Sequence, residues 1–176
     1  MLGAAYDDLP TAVQQFHDHA ATHYHGVASS GGAAHLSARL LRRLFGFPPL
    51  SDRLTVDVWL SQRGMSEHWK RNFGGRGFQS SFARTADGCL HERFGPFRFA
   101  FRLRVADRRL YWDFAGWSLW VIPLPKALGP KIVTHESESE DGAYAFYSHA
   151  DFPLIGTLIN YEGTIRPVSA EGAGAA

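Results

Sequence analysis

Apolar positions along the chain change their period once. Before residue 50 they recur every three or four positions, and from Leu54 onward they recur every second. Leu54, Val56, Val58 and Leu60 alternate with Thr55, Asp57, Trp59 and Ser61, and Phe97, Phe99, Phe101, Leu103 and Val105 alternate with Arg98, Ala100, Arg102 and Arg104. Successive strand side chains point to opposite faces, so this pattern predicts half-buried antiparallel strands. Further strands are expected at about 67–73, 77–85, 89–94, 109–121, 131–139, 143–150 and 155–166. Asp87-Gly88, Asp107 to Arg109 and Asp141-Gly142 supply turns between them. The earlier piece Thr22 to Ala28 is also β-like and is closed by Ser29-Ser30-Gly31-Gly32.

Two helices precede the strand region. Asp7, Asp8 and Pro10 open a short one with Val13 and Phe16 as its apolar spots, ending near His19. The longer covers 33–45, with Leu36, Leu40, Leu41, Leu44 and Phe45 on one side and Arg39, Arg42 and Arg43 mostly on the other. Gly46, Pro48 and Pro49 end it. The leucine stripe is expected to cover an apolar surface and the arginines to face water. Eight or nine meandering strands with one long amphipathic helix predict a mainly β fold, a calycin-like antiparallel barrel or a strongly curved sheet. A single domain is expected over 1–168, with a disordered tail over 169–176, where the residues are small and polar.

Composition narrows the partners. A chain of 176 residues, 45% hydrophobic, suits one filled domain. The formal net charge of +1 argues against a nucleic-acid or membrane partner and leaves a small molecule as the default. A single cysteine, Cys89, excludes an internal disulfide framework and suits a reducing cytoplasm. The N-terminus has no basic and apolar leader pattern, so a soluble, unprocessed chain is expected.

Candidate chemistry lies on strand faces that are otherwise aromatic. Arg71 sits between Trp69 and Phe73, Ser80 between Phe78 and Phe82, and Glu92 between Leu90 and Phe94. If those faces point inward, a buried arginine and a buried glutamate require each other or a ligand. Glu92 would then serve as general acid or base and Arg71 as the binder of a carboxylate or developing oxyanion. The competing reading is a structural salt bridge that fixes barrel register. His17, His19, His23 and His25 lie within nine positions, and strand alternation would project His23 and His25 to one face. No metal-binding motif accompanies them, so solvated histidines are favoured over a metal site, with His25 alone retained as a cavity acid or base. Trp112, Phe114, Trp117, Trp120, Tyr144, Phe146, Tyr147 and Tyr161 either pack a core or line a pocket. The ligand-binding set is therefore Trp69, Phe73, Phe78, Ser80, Phe94, Trp112, Trp120, Glu136, Phe146 and Tyr161. Gly74-Gly75-Arg76-Gly77 lacks the Lys-Ser/Thr ending of a phosphate loop and reads as a turn. Ser80-Ser81 lacks a nucleophile elbow.

Several dispersed motifs occur in order: Trp69-x-Arg71-x-Phe73, Phe78-x-Ser80, Glu92-Arg93-Phe94-Gly95-Pro96, Leu124-Pro125, Glu136, Pro153-Leu154-Ile155-Gly156 and Tyr161-x-Gly163. Together they resemble the bacterial domain-of-unknown-function family 4166 from about Leu9 to Pro167. The resemblance implies small-molecule metabolism, because members look like stand-alone chains or like partners of NAD-binding reductase-like domains; it brings no agreed reaction. The expected function is a cofactor-independent enzyme, a cyclase, isomerase or lyase, acting on a largely apolar molecule. The alternatives are a non-catalytic carrier or sensor of a hydrophobic metabolite and an accessory domain to a separate reductase.

Overall fold

In a computed structural model, which describes residues 3–168, the period-two segments pair with their sequence neighbours and close on themselves. The strands are β1 (His23–Gly31), β2 (Ser51–Arg63), β3 (Ser66–Phe73), β4 (Arg76–Arg84), β5 (Leu90–Phe94) and β6 (Phe97–Ala106). They continue with β7 (Arg109–Leu119), β8 (Ile122–Leu124), β9 (Lys131–Glu138), β10 (Tyr144–Phe152) and β11 (Gly156–Pro167). All pairings are antiparallel; β1 joins β2 to β11, β6 pairs β7, and β7 pairs β9, so ten strands form a closed barrel. The seam between β7 and β9 has only two residue pairs, Leu110 with Glu136 and Tyr111 with His135. Beyond it β7 turns away to pair with β8, a short strand that the alternation pattern did not distinguish from the end of β7. The β-like start at Thr22 also runs further than expected, through Ser29, Ser30 and Gly31, because β2 and β11 pair with it on both sides. The expected disordered tail lies outside the described residues.

Alternation sorts the side chains as the pattern predicts. Val56, Val58, Leu60, Trp69, Phe73, Phe78, Phe82, Phe101 and Leu110 are buried, and Arg102 and Gln79 face water. Two glycines permit a close crossing of β1 and β11. A Cβ on Gly163 would collide with the Val27 carbonyl oxygen and with Ala28, and one on Gly26 with the Thr164 carbonyl oxygen. Neighbouring backbones occupy the space that a side chain needs.

The helices close the two ends. Helix α1 (Thr11–His17) plugs the end where β3, β5, β7 and β10 begin. Phe16 stacks on Tyr144 at 4.1 Å and meets Tyr24 and Trp69 at 4.9 and 5.1 Å, while the Ala12 amide donates to Glu138 Oε2. Helix α2 (Leu36–Leu44) crosses the opposite end. At its start the His35 Nε2 meets the Ile155 carbonyl oxygen of the β10–β11 turn, and past its end Phe45 packs on Phe94 and Phe97 around the β5–β6 turn.

The orientation of α2 corrects the sequence expectation. Leu36, Leu40 and Leu44 are 79, 64 and 73% exposed, whereas Arg42 is 5% exposed. The Arg42 guanidinium donates to the carbonyl oxygens of Leu158 and Ala33, tying the helix to β11 and to its own approach segment. Those backbone acceptors need a donor once buried, and only an arginine on that side reaches both. Ala38 is also buried, and Leu41 and Phe45 point into the barrel, so the contact side is narrow and the leucine stripe is left outside.

Charge is polarised along the barrel axis. The α2-end segments 35–50, 73–77, 93–98, 118–130 and 152–156 contain no Asp or Glu, and Arg39, Arg43, Arg76, Arg93, Arg98 and Lys126 are exposed on them; Asp52, at the start of β2, is an exposed carboxylate beside them. The α1 end is mixed: Asp7, Asp8, Asp87, Asp107, Glu140 and Asp141 are exposed there, and so are Arg63, Arg84, Arg108, Arg109 and Arg166.

Candidate functional site

Between the α1 plug and α2 the barrel holds a partly open cavity of about 380 Å³. That volume is within the range of small-molecule sites. Its wall is mainly aromatic, with Trp69 and Phe73 from β3, Phe78 and Phe82 from β4, Phe94 from β5, Trp112 from β7, Phe146 from β10 and Tyr161 from β11. Inward alternation carries three charged side chains onto the same wall: Arg71 from β3, Glu92 from β5 and Glu136 from β9.

Register brings the first two together. Arg71 lies opposite Phe78 and Glu92 opposite Phe82, so the two meet diagonally across β4. Arg71 Nη1 is 3.7 Å from Glu92 Oε1, within ion-pair range but beyond a hydrogen bond. The guanidinium carbon sits 4.8 Å from the Trp69 ring centre, 5.2 Å from Phe78 and 5.7 Å from Phe82. Aromatic faces thus hold the cation in place, while its N–H fork makes no hydrogen bond to Glu92. Ser80 is buried between Phe78 and Phe82, and its hydroxyl has no partner among the described residues; the same holds for the Trp112 indole N–H.

A second cluster forms the floor against α1. Glu136 is 2% exposed, and its Oε2 is 2.6 Å from His17 Nε2. Burial opposes charge on His17, but the attraction and hydrogen bond of Glu136 outweigh it and raise the imidazole above its ordinary pKa. Burial, reinforced by Glu136, pushes the neighbouring Tyr144 phenol well above its usual range. Burial also raises Tyr161, with Arg71 opposing and Glu92 adding to the shift. Both phenols therefore keep their protons at neutral pH and are hydrogen-bond donors. Thr134 and Ser148, whose hydroxyls are 2.9 Å apart, complete the polar side of the wall.

Of the residues expected from the sequence, Arg71, Glu92, Trp69, Phe73, Phe78, Phe94, Trp112, Glu136, Phe146 and Tyr161 line this one cavity, and Ser80 is buried just behind its rings. Two are placed elsewhere. Trp120 is exposed on the β7–β8 turn, because the chain reverses there with φ +52° and leaves the alternation of β7. His25 is on the outer face, since its neighbour Tyr24 takes the inward position. His23 and His25 do share a face, but what they share is Asp57, at 2.9 and 3.0 Å. Sequence reasoning did not assign a site role to His17, since no periodicity tells where a short helix will dock.

The described residues contain one set of side chains with metal-ligand character, Asp87, Cys89 and His91 in the β4–β5 hairpin, outside the cavity. The Asp87 carboxylate already accepts from the Thr85 hydroxyl and the Cys89 amide and meets His91, contacts that hold its pKa at about 2. That accounts for the cluster as a turn-stabilising network.

The matching family model, described as a domain of unknown function (DUF4166), covers residues 9–165. The chain belongs to this family. No curated protein matches it in sequence. The DUF4166 signature read from the sequence follows the cavity. Its Trp69, Arg71, Phe73, Phe78, Glu92, Phe94, Glu136 and Tyr161 positions are wall residues, and Ile155 closes the α2 end.

Proposed function

We propose that this DUF4166 domain binds a small, largely apolar organic molecule with one carbonyl or carboxylate group and transfers a proton on it without a cofactor, as an isomerase, cyclase or lyase. The observation that carries this reading is the Arg71 guanidinium, buried on three aromatic rings and 3.7 Å from Glu92, with no hydrogen bond between them. A buried fork of donors beside a carboxylate suits an oxygen acceptor and an adjacent acidic carbon.

In the mechanism this supports, the substrate carbonyl oxygen accepts from Arg71 and the Glu92 carboxylate removes a proton from the neighbouring carbon. The electron pair moves toward the oxygen, whose developing charge Arg71 stabilises. Return of the proton at a different carbon gives an isomer. Breaking the bond to a β-leaving group, which departs with the proton held by Glu92, gives a lyase product; attack on a second carbonyl carbon of the same molecule opens its C=O π bond, and its oxygen takes that proton as the ring closes. The aromatic wall holds the apolar remainder and excludes water.

A carrier of a hydrophobic metabolite is the second reading, favoured by the predominance of aromatic side chains on the wall. Native mass spectrometry of the purified protein identifies the retained ligand, which is then tested for turnover. In the enzyme, Glu92→Gln lowers turnover by about 10²-fold or more while an unreactive analogue still binds. Wild-type binding with no conversion of the retained ligand would establish the carrier instead.

A further inference from the structure

The leucines Leu36, Leu40 and Leu44 of α2 have no packing partner that covers them among the described residues, and they are not alone. Trp120, Val121 and Ile122 form three consecutive exposed apolar residues at the β7–β8 turn, Leu128 follows, and Leu154 projects from the β10–β11 turn. All of these stand at the α2 end, where Phe45, Phe94, Trp117 and Ile155 line the cavity. Among the exposed large hydrophobics of the described residues, only Val27, Met65, Val133 and Val168 lie away from it.

We infer that the α2 end of the barrel docks on the surface of an anionic lipid bilayer. The apolar groups are carried on separate protruding tips, an arrangement suited to a deformable apolar layer that each tip can enter independently. Tryptophan beside long aliphatic side chains favours the headgroup boundary. Arg39, Arg43, Arg98 and Lys126 are interleaved with these tips, and the tip segments have no acidic residue. Their long stems lie along apolar surface while the charged heads meet anionic lipid. At the far end exposed carboxylates and arginines are mixed, so the uncompensated positive charge lies at the α2 end and turns that end toward the bilayer. The net charge of +1 conceals this, because a sum over the chain carries no position.

Docking in this orientation puts Leu41 and Phe45 of the α2 region, which face the cavity, directly behind the side chains that meet lipid. An apolar ligand then passes between bilayer and cavity without crossing water. This goes beyond the proton-transfer reading and does not depend on it, since vesicle binding is measured on the protein without turnover.

The test is co-sedimentation of the full chain with vesicles of phosphatidylcholine alone or of phosphatidylcholine and phosphatidylserine at 3:1. Binding is expected to the anionic vesicles, with about fivefold weaker partition for each arginine removed in Arg39→Gln and Arg43→Gln, and loss in high salt. The triple variant Leu36→Ser, Leu40→Ser, Leu44→Ser should lose at least tenfold in partition, with little change in the thermal melt because these side chains are largely exposed. Met65→Ser at the α1 end should bind as the wild type does. Anionic vesicles should also shift the tryptophan emission to the blue, and Trp120→Phe should remove most of that shift. No binding to either vesicle, or binding unchanged in the triple variant, overturns the proposal. So does a self-associated species in sedimentation that the triple variant disperses, or a stoichiometric complex with a reductase-domain protein in the absence of vesicle affinity.

Discussion

The barrel holds two charged pairs of different construction, and comparing them by double-mutant cycles separates a ligand site from a structural bridge. His17 and Glu136 are in hydrogen-bond contact at 2.6 Å, with side chains 18 and 3% exposed. Arg71 and Glu92 are 3.7 Å apart with no hydrogen bond, and their side chains are 10 and 19% exposed. The gross attraction between unit charges at such a separation is about 4 kcal/mol in a medium of effective dielectric constant ~20. For Arg71 and Glu92 most of it is offset by desolvation that no hydrogen bond repays, leaving a coupling of about 1 kcal/mol. Removing one partner of the closed pair instead leaves a buried charge, at a cost of about 3–5 kcal/mol. The variants are Arg71→Met, Glu92→Gln and their double for one cycle, and His17→Leu, Glu136→Gln and their double for the other. Urea unfolding followed by tryptophan emission supplies the stabilities, compared at unchanged denaturant dependence. A coupling of about 3 kcal/mol or more for Arg71 and Glu92, matching the His17 pair, would mean that they bridge the wall for stability, and the proposed substrate contact would be wrong.

Two further outcomes follow from the floor and the strand crossing. The pKa of His17 is raised in the folded protein, so its contribution is full below the unfolded value of about 6.5 and is lost as pH rises through the folded value. The stability difference between wild type and His17→Gln should therefore shrink from pH 6 to pH 9, and a difference that grows over this interval refutes the assignment. Gly163→Ala should destabilise by about 1–3 kcal/mol in thermal or urea unfolding, through collision with β1. Gly116→Ala, where a Cβ meets only the end of Lys126 at 3.9 Å, should be close to neutral, and equal effects at the two sites would disprove the steric account.

Most of the cavity wall was legible in the sequence because a strand has a period of two. Once Trp69 and Phe73 are placed inside, Arg71 has nowhere else to go, and the same holds for Glu92 between Leu90 and Phe94. The alternation also set the strand number nearly right and made an antiparallel barrel the expected architecture. Where the chain leaves that period the inference stops. Trp120 follows the aromatic run of β7, yet it lies in a turn and faces water. His25 is one residue out of step with Tyr24, and the choice between the two faces of β1 is made by packing against Phe16.

What only the tertiary structure decided is how the elements meet. The amphipathic pattern of α2 states that two faces differ and not which one is buried; the carbonyl oxygens of Leu158 and Ala33 selected the Arg42 side and left the leucines outside. The contact of His17 with Glu136 joins residues 119 positions apart and depends on where α1 docks. The 3.7 Å between Arg71 and Glu92 depends on the register of three strands. Composition likewise fixes the total charge but not its axis, because only closure of the barrel gathers the turns into two ends, one basic and apolar and the other of mixed charge. Local periodicity is a property of a few consecutive residues, whereas docking, register and polarity arise from contacts between distant ones, whose partners the chain does not name.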